Sequence, residues 1–328
     1  MDGLSSVVRG NGIEATTASV ESQSHMSATV KSIPLISVCI CTFRRAKMLE
    51  ELLRKLGQQK TGGLFTFEVV VADNDARQSA EDLVRQLAGA VPVRLTYCAE
   101  PVANIARARN KALAHARGDL LAFIDDDEFP TEQWLLSLFE TREATGADAV
   151  LGPVVPHFEH EPPRWVTKGR FFHRPMYPTY RSINWWEGRT GNVLFSRECL
   201  KSVEPPFRDV FAAAGEDVDF FRRLAQKGRR FVWCNEAVVF EHVPASRCTR
   251  RYLLRRAALR GSTFPKLRTR RLSAALKSLV ALPCYTVALP LLAIAGHHVF
   301  LKYLIKVLDH GARLLALAGL PIVSERQT

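Results

Sequence analysis

The chain has 328 residues, enough for one large α/β domain with appendages. With 47% hydrophobic and 24% charged residues it has a globular composition, which excludes disorder as its dominant state. Its formal net charge of +12 implies an anionic partner: nucleic acid, anionic lipid or a phosphorylated substrate.

Residues 1–34 are rich in Ser, Thr, Gly and Glu and have no apolar central run, so they predict a disordered tail and no signal peptide. Order begins with Ile36–Cys41, a short β-rich apolar run that reads as a buried strand. A helix follows over Ala46–Gln59, with Leu49, Leu52, Leu53 and Leu56 on one face. Phe67–Ala72 is a second strand ending in Asp73-Asn74-Asp75, and Leu83, Val84 and Leu87 mark a second helix. Arg94–Cys98 is a third strand, Asn104–Ala116 a helix rich in Ala and Arg, and Leu120–Ile124 a fourth strand that runs straight into Asp125-Asp126-Asp127-Glu128. Trp134, Leu135 and Leu138 mark the next helix, and Ala147–Leu151 a fifth strand. This alternation predicts a mostly parallel sheet with helices on both faces, in which ligands lie at the carboxyl ends of the strands.

Beyond Gly152 the pattern changes. Residues 153–190 are rich in Pro, aromatics, His and Arg and read as irregular binding surface, in which Trp165, Trp185, Trp186, Tyr177 and Tyr180 can stack on sugars or simply pack. Residues 191–195 and 230–240 read as further strands, with a helix from Glu216 to Lys227 between them. Leu267–Lys277 is basic, and Leu279–Gly296 is an uncharged apolar run of 18 residues interrupted by Pro283 and Pro290. The final helix has one polar stripe, Lys302, Lys306, Asp309 and Arg313, the pattern of a helix in a membrane interface; a buried helical pair capping the domain is the alternative. The seven cysteines are odd in number and lack C-x-x-C spacing, so they read as buried thiols and not as disulfides or a zinc site.

Four groups of residues carry chemistry. The run Asp125–Glu128 crowds carboxylates at a strand end, which favours a hard divalent ion such as Mg²⁺ or Mn²⁺; a solvated acidic loop is the plain alternative. Asp73 and Asn74 can meet a nucleobase or ribose, or merely form a turn. Gly215-Glu216-Asp217-Val218-Asp219 opens a helix: Asp217 can act as a general base, or the acids can simply favour the helix start. Arg107 and Arg109, and then Arg250, Arg251, Arg255, Arg256 and Arg260, suit phosphate or a membrane face. His242 is a candidate further metal ligand. With no zinc finger, aromatic RNA-binding sheet motif or basic zipper, nucleic acid is not the expected partner.

Taken in order, these pieces resemble the family 2 glycosyltransferases: Ser37–Arg45, Val70–Asp75, Asn104–Asn110, Phe123–Glu128 and Gly215–Phe220. Asp73–Ala76, Val150–Val154, Pro163–Trp165 and Arg189–Asn192 are similar to segments of the succinoglycan-type β-glucosyltransferase group of bacterial exopolysaccharide pathways. The resemblance covers residues 35–260 and implies a GT-A fold, a nucleotide-diphospho-sugar donor and inversion at the anomeric carbon. On this chain it implies that Thr42, Asp73 and Asn74 touch the nucleotide, with Arg109 near the base or phosphates. It further implies that Asp125 and Asp127 hold Mg²⁺ or Mn²⁺ on the diphosphate with Asp126 beside them, and that Asp217 is the catalytic base. The division implied is a domain over 35–265, with a nucleotide-binding half at 35–152 and an acceptor-binding half at 153–265, followed by membrane-associating helices over 266–328. The chain departs from many members in carrying Asn74 where they have a second acid, and it lacks the Gln-x-x-Arg-Trp motif of processive enzymes. The expectation is single addition, at the cytoplasmic side of a bacterial inner membrane, to a saccharide or lipid-linked saccharide. A sugar-1-phosphate nucleotidyltransferase would open with a glycine-rich loop, where this chain has Thr42–Arg45. A catalytically inactive scaffold would not need Asp125, Asp127 and Asp217, all of which are present.

Overall fold

The computed structural model describes residues 33–211, 214–267 and 271–320; the expected N-terminal tail lies outside them up to Ser32. The chain opens as β1 (Leu35–Thr42), α1 (Ala46–Leu56), β2 (Thr66–Asp73), α2 (Glu81–Leu87), β3 (Arg94–Ala99), α3 (Ile105–His115) and β4 (Leu120–Ile124). It continues through β5 (Glu128–Pro130), α4 (Trp134–Thr145), β6 (Ala149–Leu151), β7 (Val154–Phe158), α5 (Arg164–Gly169), β8 (Asn192–Ser196), α6 (Glu198–Lys201) and α7 (Glu216–Gln226). The last elements are β9 (Phe231–Trp233), β10 (Val239–Val243), α8 (Arg250–Leu267), α9 (Arg271–Ile294) and α10 (His297–Leu317).

The main sheet has seven strands in the order β3-β2-β1-β4-β8-β6-β9. β1, β2, β3 and β4 are parallel, and the mostly apolar runs of β1, β2 and β4 fit a sheet covered on both faces. Ile36, Val38 and Ile40 point to one face, where α1, α2 and α4 close a core around Leu52, Val84 and Trp134. Cys39, Val70 and Ala72 point to the other, where α3 and α7 bring Ala112, Phe220 and Leu224. The order steps outward from β1 to β3 and then returns to β4 on the opposite side of β1, leaving a crevice at the carboxyl ends of β1 and β4.

Three features differ from the reading of the sequence. β8 enters the sheet antiparallel between β4 and β6, since it arrives from the irregular 153–190 excursion and not through a crossover helix. The single strand expected over 230–240 is two, β9 in the main sheet and β10 in a second sheet of order β5-β10-β7. The fifth strand starts at Ala149, two residues later than expected.

The C-terminal helices belong to a third core. Leu301 of α10 is buried with Val166 of α5, Val243 of β10 and Leu253 of α8. Where α8 crosses α10, a Cβ on Gly261 would stand 2.4 Å from the Asp309 carbonyl oxygen, so the absence of a side chain permits the close approach. Leu272–Ile294 is long and apolar enough to cross a membrane, and few of its residues are buried by the rest of the chain. The seven cysteines are free thiols; five are buried, Cys41 is half-buried and Cys284 is exposed.

Candidate active site

A cleft of ≈ 780 Å³ opens at the crevice between β1 and β4. The end of β1 supplies Thr42 to Arg45, the turn after β4 supplies Asp125 to Asp127, and the start of α7 supplies Gly215 to Asp217. Asn74, Arg109, Glu241, Arg247, Tyr252 and Arg256 complete the wall. Residues more than 200 positions apart in sequence therefore face one space.

The three aspartates of the run have different surroundings. Asp126 is buried and held: Thr42 Oγ1 donates to its Oδ2 at 2.9 Å, and Arg45 Nη1 donates to its Oδ1 at 2.7 Å. Burial pushes its carboxyl up to about 6 in spite of Arg45. Asp127 meets Arg247 Nη2 at 2.7 Å and Arg45 Nη1 at 3.2 Å, both through Oδ2. The side chain of Asp125 is 43% exposed, against 6% for Asp126 and 10% for Asp127, and its one ion pair is a 3.4 Å approach of Arg109 to Oδ1. Its carboxyl is raised by its desolvated position at the cleft floor, which Arg109 offsets only in part. Glu128 lies behind, buried, with Oε2 accepting from the Asp125 backbone amide at 3.2 Å and Oε1 without a partner among the described residues. Burial and the neighbouring Asp125 push its carboxyl well above the usual range. A Cβ on Gly191 would stand 2.8 Å from Glu128 Oε1 and 3.0 Å from Asp125 Oδ2, so glycine leaves these carboxylates their room.

No group of three or more His, Cys, Asp or Glu side chains among the described residues is arranged to hold a metal ion. The donor chemistry nevertheless suits a hard cation. Asp125 Oδ2 and Asp127 Oδ1 accept no hydrogen bond from the described residues, and Mg²⁺ sites commonly use one or two carboxylates completed by substrate phosphates.

Thr42 and Asn74 line the cleft but are themselves engaged. The Asn74 amide donates to the carbonyls of Glu100 and Val102 and accepts from the Asn104 amide, which ties the β2 and β3 ends to the start of α3. Asp73 is not in the cleft wall: it is fully buried, and its carboxylate accepts from the Ala80 and Asp75 amides and from Tyr97. These bonds organise the turn into α2. Arg109 is also buried, pairing with Glu216 and Asp125 over the Phe207 ring, and so braces the start of α7 against the end of β4. Asp217 faces the cleft half-exposed, and the one bond given to its carboxylate is the 2.7 Å donation from the Val218 amide. Asp219, two residues on, turns inward to Arg208, Arg222 and Arg223.

Sequence reasoning missed Arg45 as an ion-pair partner and missed Arg247 and Glu241 altogether. Arg247 follows β10 in a short 3-10 turn, Ala245–Arg247, and joins Asp127 to Glu241, which Arg174 holds from the other side at 2.6 Å. Of the second arginine cluster, Arg256 reaches the cleft. His242 packs on Phe129 and lies 3.2 Å from Glu51, outside the cleft wall. Trp165 packs on Phe171 and His297, whereas Trp186 and Tyr180 are exposed.

The sequence matches the family described as glycosyl transferase family 2 over residues 37–202 and that described as glycosyl transferase family group 2 over residues 120–322. It is 37% identical over 233 residues to the succinoglycan biosynthesis protein ExoM of Rhizobium meliloti (strain 1021), covering 71% of this chain and 74% of that one. It is 31% identical over 212 residues to validoxylamine A glucosyltransferase of Streptomyces hygroscopicus subsp. jinggangensis (strain 5008), covering 60% of this chain but only 50% of that one. The fold is similar to S. aureus TarS 1-349 in complex with UDP, with a TM-score of 0.50, 16% identity, and coverage of 87% of this chain and 90% of that one.

Proposed function

This chain belongs to glycosyl transferase family 2, and we propose that it is an inverting enzyme that moves a sugar from a nucleotide-diphospho-sugar, a UDP-sugar first, to a saccharide or lipid-linked saccharide. The observation that carries the reading is the convergence of the Asp125–Asp127 run and Asp217 on one cleft at the crevice of a mostly parallel sheet. Likeness to ExoM supports a place in bacterial exopolysaccharide synthesis, and the exposed apolar helix supports a membrane location, which this reading assigns to the cytoplasmic side of the inner membrane.

In this reading the Asp217 carboxylate takes the proton of an acceptor hydroxyl. The oxygen forms a bond to the anomeric carbon as the bond from that carbon to the diphosphate oxygen breaks on the opposite face, and the nucleoside diphosphate departs. Asp125 and Asp127 would hold Mg²⁺ or Mn²⁺, which would supply positive charge to offset that gathering on the diphosphate. Arg45 and Arg247 keep Asp127 from swinging away, and Thr42 with Arg45 fixes Asp126, so the turn is organised before substrate arrives. Arg109 holds Asp217's helix start at a fixed distance from Asp125.

Calorimetry with UDP-, GDP- and dTDP-sugars, with and without Mn²⁺, tests this directly. Binding of one donor that strengthens with metal and is lost in Asp127→Ala is the expected result. A folded protein that binds none of them would overturn the reading.

A further inference from the structure

Net charge is not spread over this molecule. Residues 250–320 hold 13 Lys and Arg against a single acid, Asp309, so this stretch carries a formal +12, the entire excess of the chain. All other residues balance, 32 basic against 32 acidic. In the same stretch α9 exposes Leu272, Leu276, Val280, Val287, Leu291 and Ile294. At the helical 100° per residue these fall on one stripe about 100° wide. Ala274 and Ser278 on the opposite side are buried, and Ser278 Oγ lies 3.0 Å from His310 Nδ1 of α10. α10 in turn lies against α8, where Arg260 pairs with Asp309 at 2.9 Å.

This packing governs how α9 can meet a bilayer. The 23 residues Leu272–Ile294 reach about 35 Å at 1.5 Å per residue, sufficient for a hydrocarbon core of about 30 Å. A spanning α9 would carry α10 with it, taking Lys302, Lys306, Asp309 and Arg313 to bilayer depth, and α8 with its arginines would follow. Hydrocarbon does not solvate such charges. Lying flat, α9 puts its outer stripe into the acyl boundary and leaves its partners in water. A second copy is a poor occupant, because it would bring the same concentrated positive charge against this one.

We propose that α8, α9 and α10 form an interfacial docking surface for an anionic bilayer, with α9 in the membrane plane and the outward cations of α8 and α10 against acidic headgroups. The proposal rests on the membrane-surface location proposed above and adds to it the charge of the lipid and the orientation of the helix. It also joins membrane to site, because α8 lends Tyr252 and Arg256 to the cleft wall.

Cys284 supplies the probe. It is exposed near the middle of α9, whereas the other six thiols are buried or, for Cys41, half-buried and pushed up to about 12 by desolvation. The full-length protein, labelled there with an environment-sensitive fluorophore, is mixed with vesicles of phosphatidylcholine alone or with phosphatidylglycerol; Cys284→Ser is the unlabelled control. The expected result is partitioning at least roughly tenfold stronger on the phosphatidylglycerol vesicles, weakened by salt, with quenching strongest from a headgroup-level quencher. The double substitution Val287→Gln with Leu291→Gln should keep thermal stability and donor binding but lose partitioning. Strongest quenching from the acyl-chain ends would mean that α9 spans, which overturns the orientation and keeps the membrane location. Equal binding to neutral vesicles would overturn the charge selectivity. No binding to either, by protein that still binds donor, would remove the membrane location while leaving the transferase reading intact. A concentration-dependent dimer abolished by the double substitution, without lipid binding, would assign the stripe to self-association.

Discussion

Two aspartates two places apart at the start of α7 should behave as different kinds of residue. Asp217 faces the cleft and makes no ion pair among the described residues, so Asp217→Asn should leave donor binding and the melting temperature near wild type and lower kcat by about 10²–10⁴-fold. Asp219 is fully buried among three arginines, so Asp219→Asn should cost about 3 kcal/mol of stability, read as a lowered denaturant midpoint. Normal turnover in Asp217→Asn would mean the base lies elsewhere. Glu68 offers a second test at this scale. Its carboxylate is buried beneath β1, and although burial works against ionisation, bonds from Arg117 and Ser37 hold it below the usual glutamate range. A lowered folded value gives stability that is present above the unfolded pKa and lost as pH falls through the folded one. Arg117→Ala should therefore cost about 2 kcal/mol at pH 7, tempered because Arg117 is half-exposed, and should flatten the loss of stability between about pH 5 and pH 3. Unfolding curves at several pH values would show this, and an unchanged slope would rule out the pair as its source.

At the scale of elements, Gly261 is where α8 and α10 come closest. Gly261→Leu should pry them apart and cost about 2 kcal/mol, seen in thermal melts, while Gly311→Ala, with nothing within 4 Å of its Cβ, should be nearly neutral. The central elements were readable in the sequence because strands covered on both faces become unbroken apolar runs, and because helices such as α1 keep their leucines on one side. β5 and β9 have three residues each, too few for any period to register, so the sequence shows no sign of β5 and runs β9 into β10. Acidic runs at strand ends pointed to the cleft, but sequence alone does not distinguish Asp73, folded inward under α2, from Asn74 beside it in the cleft wall. Arg247 had no local signal at all. Its partner Asp127 lies 120 residues earlier, and the second sheet that brings them together is made of the strands least visible in the sequence.

On the scale of the whole molecule, the chain divides by charge more sharply than by shape: a balanced catalytic body and a strongly cationic helical end, joined through α8. Docking through the bare outer stripe of α9, as proposed, would have a kinetic consequence. An enzyme held on a surface, drawing on acceptors confined to the same surface, searches in two dimensions, and its rate follows acceptor per unit area and not per litre. Adding inert anionic vesicles at fixed enzyme and fixed lipid-linked acceptor should therefore slow the reaction, although no inhibitor has been introduced and donor affinity is unchanged. Turnover assayed against total lipid would reveal it, and a rate indifferent to lipid would mean that catalysis takes place in free solution.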